Sequence, residues 1–372
     1  MKFNLNLHGL RGLAALAVFL FHWVALIPGA APLLQFSAGP LAFSLATPLG
    51  FGWLGVTVFF VLSGFLLAAK LKDARLDARF VGAYLAHRGL RILPAYWVQL
   101  MAFIAIAAMG ASWPGMPPAR QFAANLLLWM DLPPWMERPI NGVAWTLPVE
   151  MMFYLILPAV VLLIRARGIV QVLLAAVAVT FLWRYAVPFI WPAPNQADNL
   201  TILNALPGSL SLFVLGVAAA HAPRTASPRA VLAWLLGGMA GLVILCVILL
   251  DNLATYYQGG LLLTVWTTCA GAAIAAIVHA LSLAAKPLPV LGSGALRRLG
   301  DLSYGLYLWH LPVLLWLKAA LPTDAGAPAM ALWVLGGATL ASLALALLSY
   351  RLVEAPAIRL GLRSFPLAAR AA

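Results

Sequence analysis

The chain has 372 residues, of which 64% are apolar and only 9% are charged, and its formal net charge is +13. Soluble domains carry about 25% charged residues on average, so this composition excludes a soluble globular protein and indicates an integral membrane protein. The two cysteines, Cys246 and Cys269, lie in apolar stretches, which argues against a disulfide framework and predicts packing roles for both.

Ten apolar runs are long enough to cross a bilayer as helices, because about 20 apolar residues are needed to span roughly 30 Å of hydrocarbon. A further run at 121–131 is too short and is predicted to be a re-entrant or interfacial segment. The sequence therefore predicts an all-α integral membrane protein with about ten transmembrane helices. The predicted spans are 10–28, 50–69, 91–110, 143–165, 168–191, 201–221, 229–250, 260–283, 302–320 and 329–350.

No linker, internal repeat or composition break divides the chain, so residues 1–372 are predicted to form one multispanning domain with no separate soluble domain. The longer loops are an inner one at about 70–90 and an outer one at about 111–142. The inner loop is basic and amphipathic, and it is predicted to lie on anionic lipid headgroups.

Lys and Arg are distributed unequally about these spans. Of 23 such residues, only four lie in or near the half of the membrane opposite the N-terminus: Arg120, Arg138, Arg184 and Lys318. Because positive residues near span ends favour the cytoplasmic side, both termini are predicted to be cytoplasmic. Membrane topology thus explains the positive charge, and the expected partner is the lipid bilayer and not a nucleic acid.

The N-terminal run also resembles a signal peptide, because a basic residue precedes it and the small residues "PGAA" follow it. Cleavage there would remove Arg11 and His22. The run leads into a multispanning protein, and a first anchor needs no cleavage, which favours a retained helix.

A few ionisable residues are predicted to lie within spans, where a charged side chain costs about 2.5–3.5 kcal/mol near the bilayer centre. Counting along each helix places His22, Glu150 and His310 at a similar depth, displaced outward, where they can form a proton-handling cluster. Arg184 and Lys318 have long stems and lie near the outer end, so both are predicted to snorkel to the interface. The remaining one, His279, is predicted to be structural.

Arg11 and His22 are 11 residues apart, and 11 helical steps return to within about 20° of the starting direction. Both side chains are therefore predicted to project from one face, with the cation at the cytoplasmic edge and the imidazole three turns above it. Such a face can hold an anionic ligand at one end and carry out chemistry at the other. Considered separately, Arg11 is typical of a topology determinant and His22 of an interhelical hydrogen bond.

Six motifs occur in order along the chain and together resemble the acyltransferase 3 family of membrane-bound O-acyltransferases, over residues 7 to about 357. Arg11 and His22 belong to the first, Arg88 and Arg91 to the third, and Glu150 to the fourth. His310 and Glu354 belong to the last two. The motifs are "LHGLRGLAALAVFLFH", "FFVLSGFLL", "HRGLRILPAYW", "WTLPVEMMFYLILP", "LGDLSYGLYLWHLPV" and "YRLVEAP".

The resemblance implies an enzyme of the bacterial inner membrane that takes an acyl group, expected to be acetyl, from cytoplasmic acyl-CoA. The acceptor implied is a hydroxyl of an extracytoplasmic sugar or glycan. The chain departs from the family at His8, where many relatives have Asp, and it shows no C-terminal hydrolase-like domain, which removes a clue to the acceptor. The role of Glu354 stays open.

The same residues suggest a mechanism without a metal. Guanidinium groups suit the phosphates of coenzyme A, so Arg11, Arg88 and Arg91 are predicted to bind the donor. His22 is predicted to be the general base, Glu150 to orient its imidazole, and His310 to position the acceptor or the thioester oxygen. Direct transfer and an acyl-histidine intermediate are both compatible with the sequence.

Two alternatives remain at this stage. The acceptor can instead be a small molecule such as a macrolide, or a lipid-linked precursor. In a different class, the His and Glu residues can form the proton relay of a secondary transporter. Transporters often contain repeated halves and broken helices, and neither is evident in the sequence.

Overall fold

The computed structural model describes residues 3–38, 41–110, 115–130, 135–223, 225, 227–321 and 328–366. The helices are α1 Leu5–Leu26, α2 Ala30–Leu33, α3 Ala46–Gly50, α4 Leu54–Leu71, α5 Ala78–Ala108, α6 Ala119–Leu126, α7 Thr146–Arg167, α8 Ile169–Ile190, α9 Leu200–Leu203, α10 Leu206–His221, α11 Pro228–Asp251, α12 Leu253–Tyr256, α13 Leu261–Leu283, α14 Gly294–Ala319, α15 Pro328–Ser349 and α16 Ala355–Ser364. Short 3-10 turns at Gly142–Trp145 and Gln196–Asn199 and a π-turn at Tyr350–Glu354 complete the helical structure. Strands β1 Gln35–Ala38 and β2 Leu41–Ser44 form an antiparallel hairpin in which Phe36 faces Phe43.

The predicted all-α membrane fold is confirmed. Within the described ranges, eight helices are long and apolar enough to cross a membrane, and nine if the bent pair Gln196–Leu203 and Leu206–His221 counts as one span. The sequence predicts ten spans. The difference is α14, which has 26 residues but contains more polar and aromatic side chains than the other spans.

Two predicted segments differ from the structure for local reasons. The third span begins at Ala78 and not at 91, because Asp77 accepts a hydrogen bond from the Phe80 N–H at 2.8 Å and caps a helix that continues without a break. Most of the predicted interfacial loop is therefore the first part of α5. The sixth span is broken near Asn204 and bends by 56° between its two pieces.

Helices α1 and α14 make the most extensive helix–helix contact among the described elements. Gly12 of α1 lies directly on the α14 backbone, and Gly300 of α14 lies on the backbone of His8, so neither position has room for a Cβ atom. Contacts of α1 advance along α14 in the same direction, from Gly12 at Leu296 to His22 at His310. The two helices are therefore parallel neighbours, and residues on their shared face meet in pairs.

Candidate active site

A cavity of about 440 Å³ lies among helices α1, α4, α5, α7 and α14. Along α4 it extends from Val56 to Lys70, a helical rise of about 21 Å. Cationic side chains gather towards Lys70, whereas Val56, Phe59 and Tyr307 line the far end. The cavity therefore suits an elongated ligand with a charged head.

Four Lys and Arg side chains line the cavity, and their end of the bundle is here named the basic end: Arg11, Lys70, Arg88 and Arg91. In the described part of the chain, no carboxylate oxygen lies within 4.0 Å of a nitrogen of any of the four. Arg11 donates to the Ser303 hydroxyl at 3.0 Å. A cluster of partly buried cations without ion-pair partners is costly, so this surface suits an anion.

Arg88 carries a buried donor that the described part of the protein does not satisfy. Its Nε is buried and has no hydrogen-bond partner among the residues that the structure describes. The guanidinium carbon lies 5.8 Å from the centroid of the Tyr154 ring, which holds the group over an aromatic face. Since buried donors are nearly always paired, an acceptor from a bound molecule fits here.

Helix α5 determines the positions of Arg88 and Arg91, the arginine pair. Arg88 and Arg91 are three residues apart, so they lie on one face of α5. The cap at Asp77 starts α5 about three turns before Arg88, which makes the backbone at both arginines regular helix. The helix thus supplies a fixed frame for both cationic side chains.

Glu150 is the one acidic residue in the described cavity lining. Its Oε1 accepts hydrogen bonds from the Ser63 hydroxyl at 2.8 Å and from the Tyr154 hydroxyl, one helical turn later. The hydrogen bonds of His22 go elsewhere, to Val18 and His310. The expectation that Glu150 orients His22 is therefore not met; the carboxylate belongs to the arginine-lined cavity.

His22 and His310 are paired directly. Nδ1 of His310 lies 3.0 Å from the Leu306 carbonyl, a contact that requires an N–H on Nδ1. In the neutral ring, His310 Nε2 is then an acceptor, and it lies 3.1 Å from Nδ1 of His22, which is also 2.9 Å from the Val18 carbonyl. His22 Nδ1 must carry the proton, which leaves the lone pair of His22 Nε2 available as a base.

One layer of side chains separates this pair from the cavity. The Tyr307 ring lines the cavity, and its centroid lies 5.9 Å from that of His310. The Tyr307 hydroxyl donates to the Val143 carbonyl at 2.8 Å and lies 3.0 Å from the Thr146 hydroxyl. Phe59 packs edge-on against the same ring, with centroids 6.1 Å apart. The histidine pair therefore lies just beyond the end of the cavity that is far from Lys70.

The predicted site residues thus fall into two adjacent groups. Arg11, Arg88 and Arg91 meet in the cavity with Glu150, and His22 meets His310 above it. Contacts of Arg11 with Ser303 and of His22 with His310 both point to α14, in agreement with the predicted shared face of α1. Lys70, Tyr154 and Tyr307 are not among the predicted site residues. For Tyr154, the sequence signal is its spacing of one helical turn from Glu150.

Other predicted intramembrane residues have separate environments. Arg184 does not snorkel: it is 2% exposed and donates to the carbonyls of Leu263 and Leu203 and to Asn204 Oδ1, at 3.0, 3.3 and 2.9 Å. The break in the sixth span leaves polar backbone groups that a cation can satisfy, which accounts for its burial. Lys318 is exposed near the end of α14.

Two further histidines bond within the protein. His279 contacts the Ala219 carbonyl at 3.1 Å, in keeping with a structural role. His8 lines the cavity and lies 3.0 Å from Asp301 Oδ1. Among the described residues, no group of three or more His, Cys, Asp or Glu side chains is placed to hold a metal ion.

Comparison with known proteins gives relatives of low identity and long coverage. O-acetyltransferase OatA of Staphylococcus aureus (strain NCTC 8325 / PS 47) is 23% identical over 97% of this chain and 58% of its own length. The Bacillus subtilis (strain 168) protein YrhL, provisionally named a peptidoglycan O-acetyltransferase, is 25% identical over 97% of this chain and 56% of its own. Nodulation protein 10 of Rhizobium leguminosarum bv. viciae is 27% identical over 82% of each chain.

The chain therefore spans only a little over half the length of the first two relatives. No solved structure matches the chain. The profile of the acyltransferase 3 family, described as an acyltransferase domain, matches residues 4–351. This match contains all the cavity cations and both paired histidines, and the chain belongs to the acyltransferase 3 family.

Proposed function

We propose that this protein is a membrane O-acyltransferase that moves an acyl group, acetyl in the simplest case, from acyl-CoA to a hydroxyl of an extracytoplasmic glycan. The observation that carries the proposal is a cavity whose cations have no ion-pair partner in the described part of the chain and which ends one side-chain layer from a pair of hydrogen-bonded histidines. We also propose that it lies in the bacterial inner membrane as one multispanning domain, with the basic end and both termini in the cytoplasm.

The donor is assigned to the cavity by charge and shape. Phosphates of coenzyme A bind at Arg88, Arg91, Lys70 and Arg11, since guanidinium groups make paired, charge-assisted hydrogen bonds to phosphate. The unpartnered Nε of Arg88 supplies one such donor. The pantetheine arm then extends along α4 towards Phe59, and the thioester lies next to the histidine layer.

The chemical step uses the free nitrogen of His22. The acceptor hydroxyl gives its proton to His22 Nε2 as its oxygen bonds to the thioester carbonyl carbon. The carbon–sulfur bond then breaks, and the coenzyme A thiolate leaves as the thiol with the proton that His22 Nε2 took up, which returns His22 to its neutral form. The imidazolium formed on His22 is stabilised because its Nδ1–H faces two acceptors, Val18 O and His310 Nε2.

The class of acceptor is inferred from the names of the relatives alone. The names of two of them specify O-acetyl transfer, and one of these names peptidoglycan. A sugar hydroxyl is therefore the proposed acceptor class. A small molecule or a lipid-linked precursor is the alternative outcome of the test that follows.

The test uses the full-length protein in detergent with radiolabelled acetyl-CoA. Wild-type protein is expected to bind coenzyme A and to transfer or slowly hydrolyse the acetyl group, whereas His22→Ala binds coenzyme A normally and loses about 10²–10⁴-fold in rate. Mass spectrometry of envelope glycans with and without the gene identifies the acceptor. Absence of both coenzyme A binding and thioester chemistry contradicts the proposal and favours a transporter. Detection of an acetyl group bound covalently to His22 would show that the reaction proceeds through an acyl-enzyme intermediate and not by direct transfer.

A further inference from the structure

Pro312 lies in the middle of α14 and lacks the N–H that would otherwise bond to the Leu308 carbonyl. A free carbonyl is not tolerated inside a membrane protein unless a neighbouring group supplies a donor. Two side-chain amides do so: Gln99 Nε2 lies 2.6 Å and Asn141 Nδ2 lies 2.9 Å from the Leu308 oxygen. Both side chains are buried, with 1% and 2% of the residue exposed.

The two amides are also joined to each other and to the next helix. Asn141 Nδ2 lies 3.0 Å from Gln99 Oε1, and Asn141 Oδ1 accepts from the Val143 N–H at 3.4 Å. Gln99 belongs to α5, and Asn141 caps the 3-10 turn that leads into α7. The amide node, defined as Gln99, Asn141 and the Leu308 carbonyl, therefore links α14 to the two helices that carry the arginine pair and Glu150.

The node lies next to the His310 backbone. Leu308 precedes His310 by two residues, and the imidazole bonds to the Leu306 carbonyl on the other side of Leu308. Tyr307 adds a second link, since its hydroxyl donates to the Val143 carbonyl. The segment of α14 that presents His310 is thus held by α5 and by the turn before α7.

We propose that Gln99 and Asn141 are positioning residues that set the height and rotation of His310 against His22. The inference rests on the proposed function, in which His310 accepts the His22 Nδ1–H. Pro312 contributes to this positioning. Any other residue would have a backbone N–H that can bond to the Leu308 carbonyl within α14, in place of the amides of Gln99 and Asn141. The amides act through His310 and do not touch the substrate.

The decisive protein is the double variant Gln99→Met/Asn141→Ser. It removes both amide donors, while the serine hydroxyl can still cap the Val143 N–H. We expect kcat to fall at least tenfold and KM for acetyl-CoA to change less than twofold, because the cavity arginines are untouched. Thr180→Val serves as the control, since Thr180 is buried and donates to the Pro207 carbonyl elsewhere in the bundle.

Adding Pro312→Ala to the double variant separates positioning from simple stabilisation. The new N–H pairs the Leu308 carbonyl, so the thermal stability lost in the double variant is expected to return. The value of kcat is expected to stay low, since α14 is no longer tied to α5 and α7. Recovery of kcat together with stability, or an unchanged kcat in the double variant, overturns the inference.

A spectroscopic readout keeps this test independent of the reaction. Protein labelled with nitrogen-15 histidine reports which ring nitrogens are protonated, and the signals of the pair are assigned from His22→Gln and His310→Gln. The double variant is expected to change the signals of both rings without any substrate present. Unchanged signals contradict the inference even if no acyl transfer is ever detected, so the two proposals fail separately.

Discussion

His22 and His310 form an interhelical pair in which Nδ1 of the first ring lies 3.1 Å from Nε2 of the second. The pair depends on two backbone contacts. The Leu306 carbonyl fixes the tautomer of His310 and thereby makes its Nε2 an acceptor, and the Val18 carbonyl lies 2.9 Å from His22 Nδ1 and places the proton there. In the proposed mechanism, His310 takes the place that a carboxylate has in other acid–base pairs, without adding a negative charge beside His22.

The first prediction concerns that acceptor. His310→Leu removes it, and the lost hydrogen bond to a charged ring is worth about 1.5–3 kcal/mol, or about 10- to 150-fold in kcat. His310→Gln keeps an acceptor near the position of Nε2 and is expected to retain much more activity. The measurement is the rate of radiolabelled acetyl transfer at saturating acetyl-CoA.

His279→Gln is the matched control, because His279 is also buried and bonded to a carbonyl but lies away from the pair. It is expected to leave kcat close to the wild-type value. Equal activity of His310→Leu and His310→Gln shows that the acceptor at Nε2 has no role.

A substitution at Glu150 distinguishes its observed location in the arginine-lined cavity from the predicted role of orienting His22. A carboxylate among arginines partly neutralises the cavity, so Glu150→Gln is expected to lower KM for acetyl-CoA by about two- to tenfold at low salt. The pH dependence of kcat should follow that of the wild-type protein, because His22 does not bond to Glu150. A large fall in kcat with unchanged KM in Glu150→Gln would instead support the role in which Glu150 orients the His22 imidazole.

The cavity arginines predict a loss of donor affinity that depends on salt. Arg88→Ala removes a charge-assisted hydrogen bond and is expected to weaken coenzyme A binding by about 10- to 150-fold. Arg88→Lys keeps the charge but not the paired geometry, so it should recover only part of the affinity. Titration calorimetry at two salt concentrations measures both, and Arg138→Gln, an exposed arginine outside the cavity, is the control. Equal affinities of Arg88→Ala and wild type for coenzyme A would mean that the donor does not bind in this cavity.

Much of the architecture is predictable because membrane spans are specified by apolar length. Periodicity also places Arg11 and His22 on one face, and both do contact α14. Partner choice across helices is different, since it depends on how each helix is rotated and how high it lies. Counting residues puts Glu150 at the depth of His22, but the structure pairs it with Ser63 and Tyr154.

Arg184 shows a second limit of sequence reasoning. Its position near a span end and its long stem favour snorkelling, yet the helix break at Asn204 provides carbonyl partners inside the bundle. Pro207 and Gly208 follow this break in the sequence, but they do not show which neighbouring groups satisfy the freed backbone. The amide node at Leu308 is hidden for the same reason.

The proposed topology predicts which end of the bundle is accessible from outside the cell. Single cysteines replacing Arg75 and Arg138, in a protein whose two native cysteines are changed to alanine, are expected to react oppositely with a membrane-impermeant thiol reagent in intact cells. The residue at 138 should be labelled and the residue at 75 should not, since the basic end is proposed to be cytoplasmic. The reverse pattern puts the donor cavity on the side that lacks acyl-CoA.

The last prediction tests the packing that keeps α4 in place as a cavity wall. Gly64 of α4 lies against the Phe213 backbone, and Gly216 of α10 lies against the Val61 backbone, with no space for a Cβ atom at either position. Gly64→Ala must therefore push the two helices apart, at a cost of about 1–3 kcal/mol or more in stability. Gly82→Ala is the control: Gly82 is exposed within α5 and has nothing within 4 Å of an added Cβ, so alanine there should be neutral or slightly stabilising.

Thermal unfolding in detergent measures the stability of both variants. Coenzyme A binding should fall only with Gly64→Ala, because Ser63 and Lys70 on the same helix line the cavity that is proposed to bind the donor. Equal stability of the two variants would mean that α4 and α10 are not in close backbone contact.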